Sequence, residues 1–148
     1  MSLKYRRVMS SYKKAGGFLP TDIANLRLWL TGEKGVYTSA DNSVPATNDG
    51  DKIQYLEDQS GQDYHVSQGI EAKRPLLKLG ANGINNRAVL LFDGGDDYMF
   101  RTVADWLSGD SSGAIFAVYQ LTSVTNAGNI LSSGDTSMYS ITFASAFT

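Results

Sequence analysis

Apolar side chains recur along this chain at every second position, in short bursts. In "LRLWL", Leu26, Leu28 and Leu30 fall on one face of an extended segment and Arg27 with Trp29 on the other, the period of a half-buried strand. Because Trp29 shares a face with Arg27, that face is expected to meet another segment of chain. "KIQYLEDQSGQDYHVSQ", starting at Lys52, predicts two short strands flanking Asp58-Gln59-Ser60-Gly61. An aspartate two residues before a serine suits an Asx turn, whose carboxylate accepts a nearby backbone amide. "NGINN" at 82–86 reads as a reversal. Residues 88–92 are apolar at successive positions, the pattern of a central strand covered on both faces. "AIFAVYQL" at 114–121 is the most strand-like stretch, and "GNILSSGD" and "SMYSITFA" add two more strands. Helical expectations are few: a short turn after Pro20 capped by Thr21 or Asp22, and a short helix at "VADWLSG". Residues 39–51 are rich in turn formers and read as a polar loop. Strands recurring about every 10 residues, with Gly, Asn, Asp and Ser between them, predict an all-β antiparallel sandwich or barrel.

Composition narrows the picture. A chain of 148 residues, 42% hydrophobic, is expected to form one domain with its own core. It has no cysteine, which excludes disulfides and zinc–thiolate sites, and His65 alone cannot make a multi-histidine metal site. No apolar run approaches the ~20 residues that span a bilayer, so no membrane partner is expected. The N-terminus lacks the ~7–15-residue apolar core of a secretory signal.

Charge is distributed unevenly. Five of the 13 basic residues, Lys4, Arg6, Arg7, Lys13 and Lys14, lie within the first 20 positions, which hold no acid. The other eight face all 15 acids, a balance of −7. A basic arm over residues 1–18, joined through "KKAGGFLP", therefore precedes an acidic body over 19–148. The arm reads either as a solvated tail or as an anchor onto an acidic protein surface. With Tyr5 and Tyr12 as its aromatics and an acidic body behind it, nucleic acid is not the expected partner.

Several segments, in order, carry a resemblance: "LPTDIANLRLWLTGEKGV" (19–36), "DGDKIQYLEDQSGQDYHVSQ" (49–68), "RPLLKLGANGINNRAVLLFDGGDDYM" (74–99), "SSGAIFAVYQL" (111–121) and "GNILSSGD" (128–135). Together they resemble the concanavalin A-like lectin/glucanase superfamily, in particular the laminin-G-like jelly-roll modules of tailed-bacteriophage virion proteins. The resemblance runs from residue 19 to about 143. It implies a jelly-roll β-sandwich and a structural, decoration or adhesion role in the virion, at capsid, neck or tail. Other virion proteins in an oligomeric assembly would be its partners, and Lys4, Arg6, Arg7, Lys13 and Lys14 would dock the arm onto the particle. The alternative it implies is a lectin-like, carbohydrate-binding module with glycans as partners. Two departures stand out. Such modules usually continue for several more strands, whereas this chain stops at "ITFASAFT", so an incomplete C-terminal part or a neighbouring chain at the open edge is expected. The basic arm also lies outside the matched region.

The acids were weighed for chemistry. Glucanases of that superfamily carry Glu-x-Asp-x-x-Glu or Glu-x-Asp-x-Glu on one strand, so that the carboxylates share a cleft; this chain has neither pattern. Glu57 and Asp58 are adjacent, as are Asp96 and Asp97, and neighbours on a strand face opposite ways. A retaining pair must sit about 5–5.5 Å apart. No catalytic residue is expected, and the chain is read as not an enzyme. Asp93, Asp96 and Asp97, or Asp49 and Asp51, offer hard oxygens for calcium, which takes about 6–8 ligands. The preferred reading of "DGGDD" is a hairpin corner with Gly94 and Gly95 at positive φ and aspartates bonding amides, followed by Tyr98 and Phe100 on one face. No cofactor is expected on that reading, calcium being the alternative. Tyr37, Tyr55, Tyr64, Tyr119, Tyr139, Trp29 and Trp106 could stack on sugars, but strand positions argue first for packing.

Overall fold

The structure, a computed structural model, describes residues 17–101, 112–121, 128–131 and 141–143. Residues 1–16 of the basic arm, the "VADWLSG" segment, Trp106 and Tyr139 lie outside the described residues. The strands are β1 (Val36–Tyr37), β2 (Tyr55–Leu56), β3 (Val66–Ser67), β4 (Leu76–Lys78), β5 (Val89–Leu91), β6 (Gly128–Leu131) and β7 (Ile141–Phe143). They form a β1-β2-β3 sheet and two ribbons, β4-β5 and β6-β7. Every pairing is antiparallel. Among the described residues the only helical elements are three-residue 3-10 turns at Pro20–Asp22, Glu71–Lys73 and Gly80–Asn82. The fold class is therefore all-β, and no described helix is long and apolar enough to cross a membrane.

Register decides what each face carries. Val36, Leu56 and Val66 are aligned across β1-β2-β3 and point to one side, while Tyr37, Tyr55 and Ser67 point to the other. Leu77 pairs with Leu90 across β4-β5 and faces the same interior. Between them runs the segment Gly50–Ile53. It bonds alongside β4 (Gly50 N to Leu77 O 2.7 Å, Leu77 N to Asp51 O 2.8 Å, Ile53 N to Pro75 O 2.9 Å) and then continues into β2. The chain thus passes from one sheet to the other at Ile53. Val36, Ile53, Leu56 and Leu77 are buried there, with Leu30, Ala46, Val66, Leu79, Ala88, Leu90 and Met99 packed around them.

Local signals translate well. The "NGINN" reversal closes with Arg87 N on Ile84 O at 2.9 Å; Asn85 and Asn86 have φ of 52° and 60°. Positive φ at both central positions is the type I′ geometry that matches strand twist. Residues 39–51 form the expected loop, pinned where Ala46 N bonds Val36 O at 2.9 Å. The strands expected in "GNILSSGD" and "SMYSITFA" are β6 and β7, paired with a register shift between Asn129 and Leu131.

Four expectations are corrected. Neither Thr21 nor Asp22 occupies the cap of the first turn: Leu19 does, and Asp22 Oδ2 reaches back to accept its amide at 3.1 Å. "LRLWL" is extended and half-buried except for exposed Arg27, yet it joins no ladder. Asp58, Gln59 and Ser60 take up its backbone groups instead: Trp29 N to Asp58 Oδ1 2.9 Å, Gln59 N to Trp29 O 2.8 Å, Ser60 Oγ to Arg27 O 3.1 Å. Close passage past β5 requires Gly32, where a Cβ would stand 2.6 Å from the Ala88 carbonyl oxygen. Residues 88–92 are not covered on both faces; among the described residues β4 is the one strand paired with β5, and Leu91 and Phe92 are exposed. Finally, residues 114–121 belong to no strand. Phe116 and Val118 are 86% and 89% exposed, because strand propensity alone does not bring a neighbouring strand to cover them.

Candidate functional site

Asp58 follows β2 and is 5% exposed. Its Oδ1 accepts the amides of Trp29 and Ser60, both at 2.9 Å; its Oδ2 accepts the Ser60 hydroxyl at 2.6 Å and the Tyr64 amide at 3.1 Å. The Ser60 contact is the expected Asx turn. Burial pushes this carboxyl up, but the Ser60 hydroxyl and the three amides together outweigh it and hold the group below the usual carboxylate range. Both oxygens are occupied twice, a fastening arrangement with no lone pair spare for proton transfer. The Asp58 amide donates to His65 Nδ1 at 3.0 Å, so the imidazole carries its proton on Nε2, 3.6 Å from Asp63 Oδ1.

The Asp93–Asp97 corner is also built from amides. Asp93 Oδ1 accepts from Gly95, Asp96 and Asp97 at 2.8, 3.3 and 3.4 Å, and Asp97 Oδ2 accepts the Asp93 amide at 3.0 Å. The Gly95 amide is the main reason the Asp93 carboxyl lies low. Asp97 is pushed up, by burial first and then by the charges of Asp93 and Asp96. Gly94 has φ +77°, but Gly95 is not in the left-handed region, which corrects the expectation for the pair. The corner is not a hairpin either. It carries the chain out of the β4-β5 ribbon to Phe100, which exchanges both backbone bonds with Ser67 (2.9 and 3.1 Å) at the open side of β3. Tyr98 and Phe100 share a face as expected, rings 5.7 Å apart, and both are exposed.

The carboxylates of Asp93, Asp96 and Asp97 lie within 4.8 Å of one another. Asp49 and Asp51 are not brought into a cluster with them; each fastens its own loop. Asp49 accepts from Leu79 N (2.8 Å) and Asn82 Nδ2 (3.0 Å), and Asp51 from the Thr47 and Asn48 amides (both 2.9 Å). Since Asp97 is raised in the folded state, its ionisation costs stability as pH climbs through that raised value. Asp97→Asn is thus expected to raise the free energy of unfolding, read from the urea midpoint at neutral pH and low salt, by roughly 0.5 kcal/mol or less, the scale of a like-charge pair, with no gain in strong acid. Millimolar calcium is expected to leave both midpoints unmoved. A midpoint that climbs with calcium in the parent protein and not in the variant would make the corner a cation site.

A third constellation lies on the outward face of β1-β2-β3. Tyr37 and Tyr55 are direct cross-strand partners with ring centroids 6.1 Å apart in an edge arrangement, and His65 lies 5.4 Å from Tyr55. Glu57, two residues after Tyr55, accepts from Gln59 Nε2 at 3.3 Å. Arg101 stacks its guanidinium 5.1 Å from the Tyr64 ring and bonds the Asp63 carbonyl at 2.9 Å. Partial burial raises the Tyr55 hydroxyl, and the charges of Glu57 and Asp63 add to the effect. Sequence reasoning named Tyr37, Tyr55 and Tyr64 but missed His65 and Glu57 as members of this face; counting by twos from Tyr55 and back from Ser67 would have found both. Trp29 lies apart, bound to the Asp58 turn, and Tyr119 lies in the segment 112–121, which contains no strand. The arm residues Lys4, Arg6, Arg7, Lys13 and Lys14 fall outside the described residues.

Comparison of the chain with protein-family models, curated proteins and solved structures gives no match.

Proposed function

We propose that this chain is a non-enzymatic structural, decoration or adhesion protein of a tailed-bacteriophage virion, a laminin-G-like jelly roll held in place by neighbouring chains. The observation that carries the reading is the segment 112–121. It has strand-grade apolar sequence and no charge, forms no strand with the other described residues, and holds Ile115, Phe116, Val118 and Leu121 exposed. Such a surface is a liability in isolation and an asset in an assembly, where an adjoining chain can cover it. The use of Asp58 and Asp93 as backbone fasteners supports a role without catalysis. The basic arm, through Lys4, Arg6, Arg7, Lys13 and Lys14, would order on an acidic surface of the particle, its lost entropy offset by the contacts it gains.

The test is compositional. Mass spectrometry of purified particles is expected to find the protein, and a chain lacking residues 1–17 is expected to be incorporated at a small fraction of the normal level. Normal incorporation of the truncated chain removes the anchoring role; absence of the full chain from particles removes the virion reading. A second reading, a carbohydrate-binding module, is favoured by the aromatic outward face of β1-β2-β3.

A further inference from the structure

We propose that Asn82 is a latent modification site: it loses its carboxamide to attack by the Gly83 nitrogen only when the turn at 79–83 lets go of Asp49, and the carboxylate left behind keeps that fastening from re-forming. The change runs one way and needs water alone as co-reactant. It is independent of the particle reading.

Asn82 is the one asparagine in the chain that precedes a glycine. The fold dictates both members of that pair. A Cβ on residue 83 would collide with the Arg87 carbonyl oxygen, because the Ile84–Arg87 reversal brings that group back over Gly83. Asparagine stands at 82 because its Nδ2 donates to Asp49 Oδ2 at 3.0 Å, across 33 positions of chain. The other Asp49 oxygen accepts the Leu79 amide at 2.8 Å, where the chain leaves β4. Asp49 thus ties the 39–51 loop to the exit of β4, and Asn82 is half of that tie. A glycine successor has no side chain to shield its own nitrogen, so the neighbouring carboxamide is sterically open to it. Packing and fastening together have placed a chemically labile pair at a structural joint.

In the reaction the Gly83 nitrogen, giving up its proton, bonds to Asn82 Cγ. The Cγ–Nδ2 bond breaks and ammonia leaves, closing a succinimide ring. Water then opens the ring: addition at Cγ gives aspartate, and addition at the main-chain carbonyl gives isoaspartate, with Gly83 carried on the side-chain carbon. The closed fold opposes the first step. The Gly83 amide donates to Gly80 O and the Asn82 amide to Leu79 O, both at 3.0 Å, while the carboxamide is held on Asp49. Ring closure requires residue 82 to leave the 3-10 geometry of Gly80–Asn82. That turn is short and exposed at all three positions, so opening it costs less than unfolding the chain. After reaction a second carboxylate stands where Nδ2 had donated. Lys78 Nζ, 3.7 Å from Asp49 Oδ2, brings one positive charge against two negative ones.

The experiment incubates the full chain at mildly alkaline pH and low salt, well below its unfolding temperature, and follows amide loss at residue 82 by peptide mass mapping. Isomerisation at Asp49–Gly50 or Asp93–Gly94 leaves mass unchanged and does not interfere. Conversion of Asn82 is expected to run about tenfold or more slower in the folded chain than in urea-unfolded chain, at a rate that stays flat across low urea. Asp49→Ala, which removes the tie, is expected to speed conversion about threefold or more in the folded chain. Asn82→Asp, the product made directly, is expected to lower the urea midpoint at low salt, and to lose most of that effect in high salt or together with Asp49→Ala. If Asp49→Ala does not fold, the urea series and Asn82→Asp carry the test. Conversion as fast in the folded chain as in urea, or unchanged by Asp49→Ala, overturns the gate. A folded chain that never converts, or converts only as fast as it unfolds globally, overturns the local opening. An Asn82→Asp midpoint equal to the parent's overturns the one-way loss of the fastening.

Discussion

Asp58→Ala is expected to lower the free energy of unfolding by roughly 3–5 kcal/mol, read as a fall in the urea midpoint at neutral pH. The carboxylate is the common acceptor for three segments: the extended stretch at Trp29, the turn at Ser60 and the entry to β3 at Tyr64. Truncation orphans three amides and leaves the Ser60 hydroxyl with the Arg27 carbonyl alone, and amides turned inward find little water to replace the carboxylate. Asp58→Asn is the sharper comparison. It preserves size and one oxygen, but its amide nitrogen meets donors where it needs acceptors, so most of the loss should remain.

The pH dependence has a definite sign. Asp58 is held below its ordinary value of 3.8, so its stabilisation is fully present above that value and is lost as pH falls through the lowered folded value. The gap between parent and Asp58→Ala should accordingly be widest near neutrality and narrow in strong acid. A loss below about 1 kcal/mol, or a gap that does not change with pH, would show that Asp58 is not the fastener its geometry describes.

The same residue shows what a sequence can and cannot reveal. The Asx turn at Asp58 was legible because its partner, Ser60, is two positions away. So were the two short strands that flank this turn, and the reversal at Asn85-Asn86, whose closing bond joins Ile84 to Arg87. The partnership of Asp58 with Trp29 spans 29 residues and leaves no local pattern. It is also the reason "LRLWL" alternates like a strand without becoming one: a carboxylate and a hydroxyl stand in for the missing neighbour. Residues 88–92 and 114–121 show the complementary difficulty. Continuous apolarity reports that a segment gains from burial, but it does not say which surface will cover it. At "DGGDD" the turn chemistry was readable and the destination was not. Nothing local distinguishes a return along β5 from a crossing to β3.

Legibility of the aromatic face failed one level higher. Period two carried one residue past β2 puts Tyr55 and Glu57 together, and carried one residue back from β3 it groups His65 with Ser67. Only the register between strands, Tyr37 against Tyr55 against Ser67, makes these one surface. A shift of one residue would exchange this face for the apolar one. The aromatic face and the core are therefore opposite consequences of a single alignment, and a test of one bears on the other.

Ile53→Ala provides that test, with an expected loss of roughly 3–5 kcal/mol. Ile53 is fully buried where the chain leaves the side of β4 and enters β2. The backbone around it is pinned at Gly50, Gln54 and Leu77, which limits how far the walls can collapse into the cavity left behind. Poor collapse puts the cost toward the upper part of the range for such truncations. Ile53→Val, removing one methylene, should cost about 1 kcal/mol. Leu91→Ala serves as the control, because Leu91 is 37% exposed on the opposite side of β5 from Leu90 and should lose well under half as much. Should Leu91→Ala cost as much as Ile53→Ala, the interior would lie on the other side of the strands. The alignment that turns Tyr37 and Tyr55 outward would then fall with it.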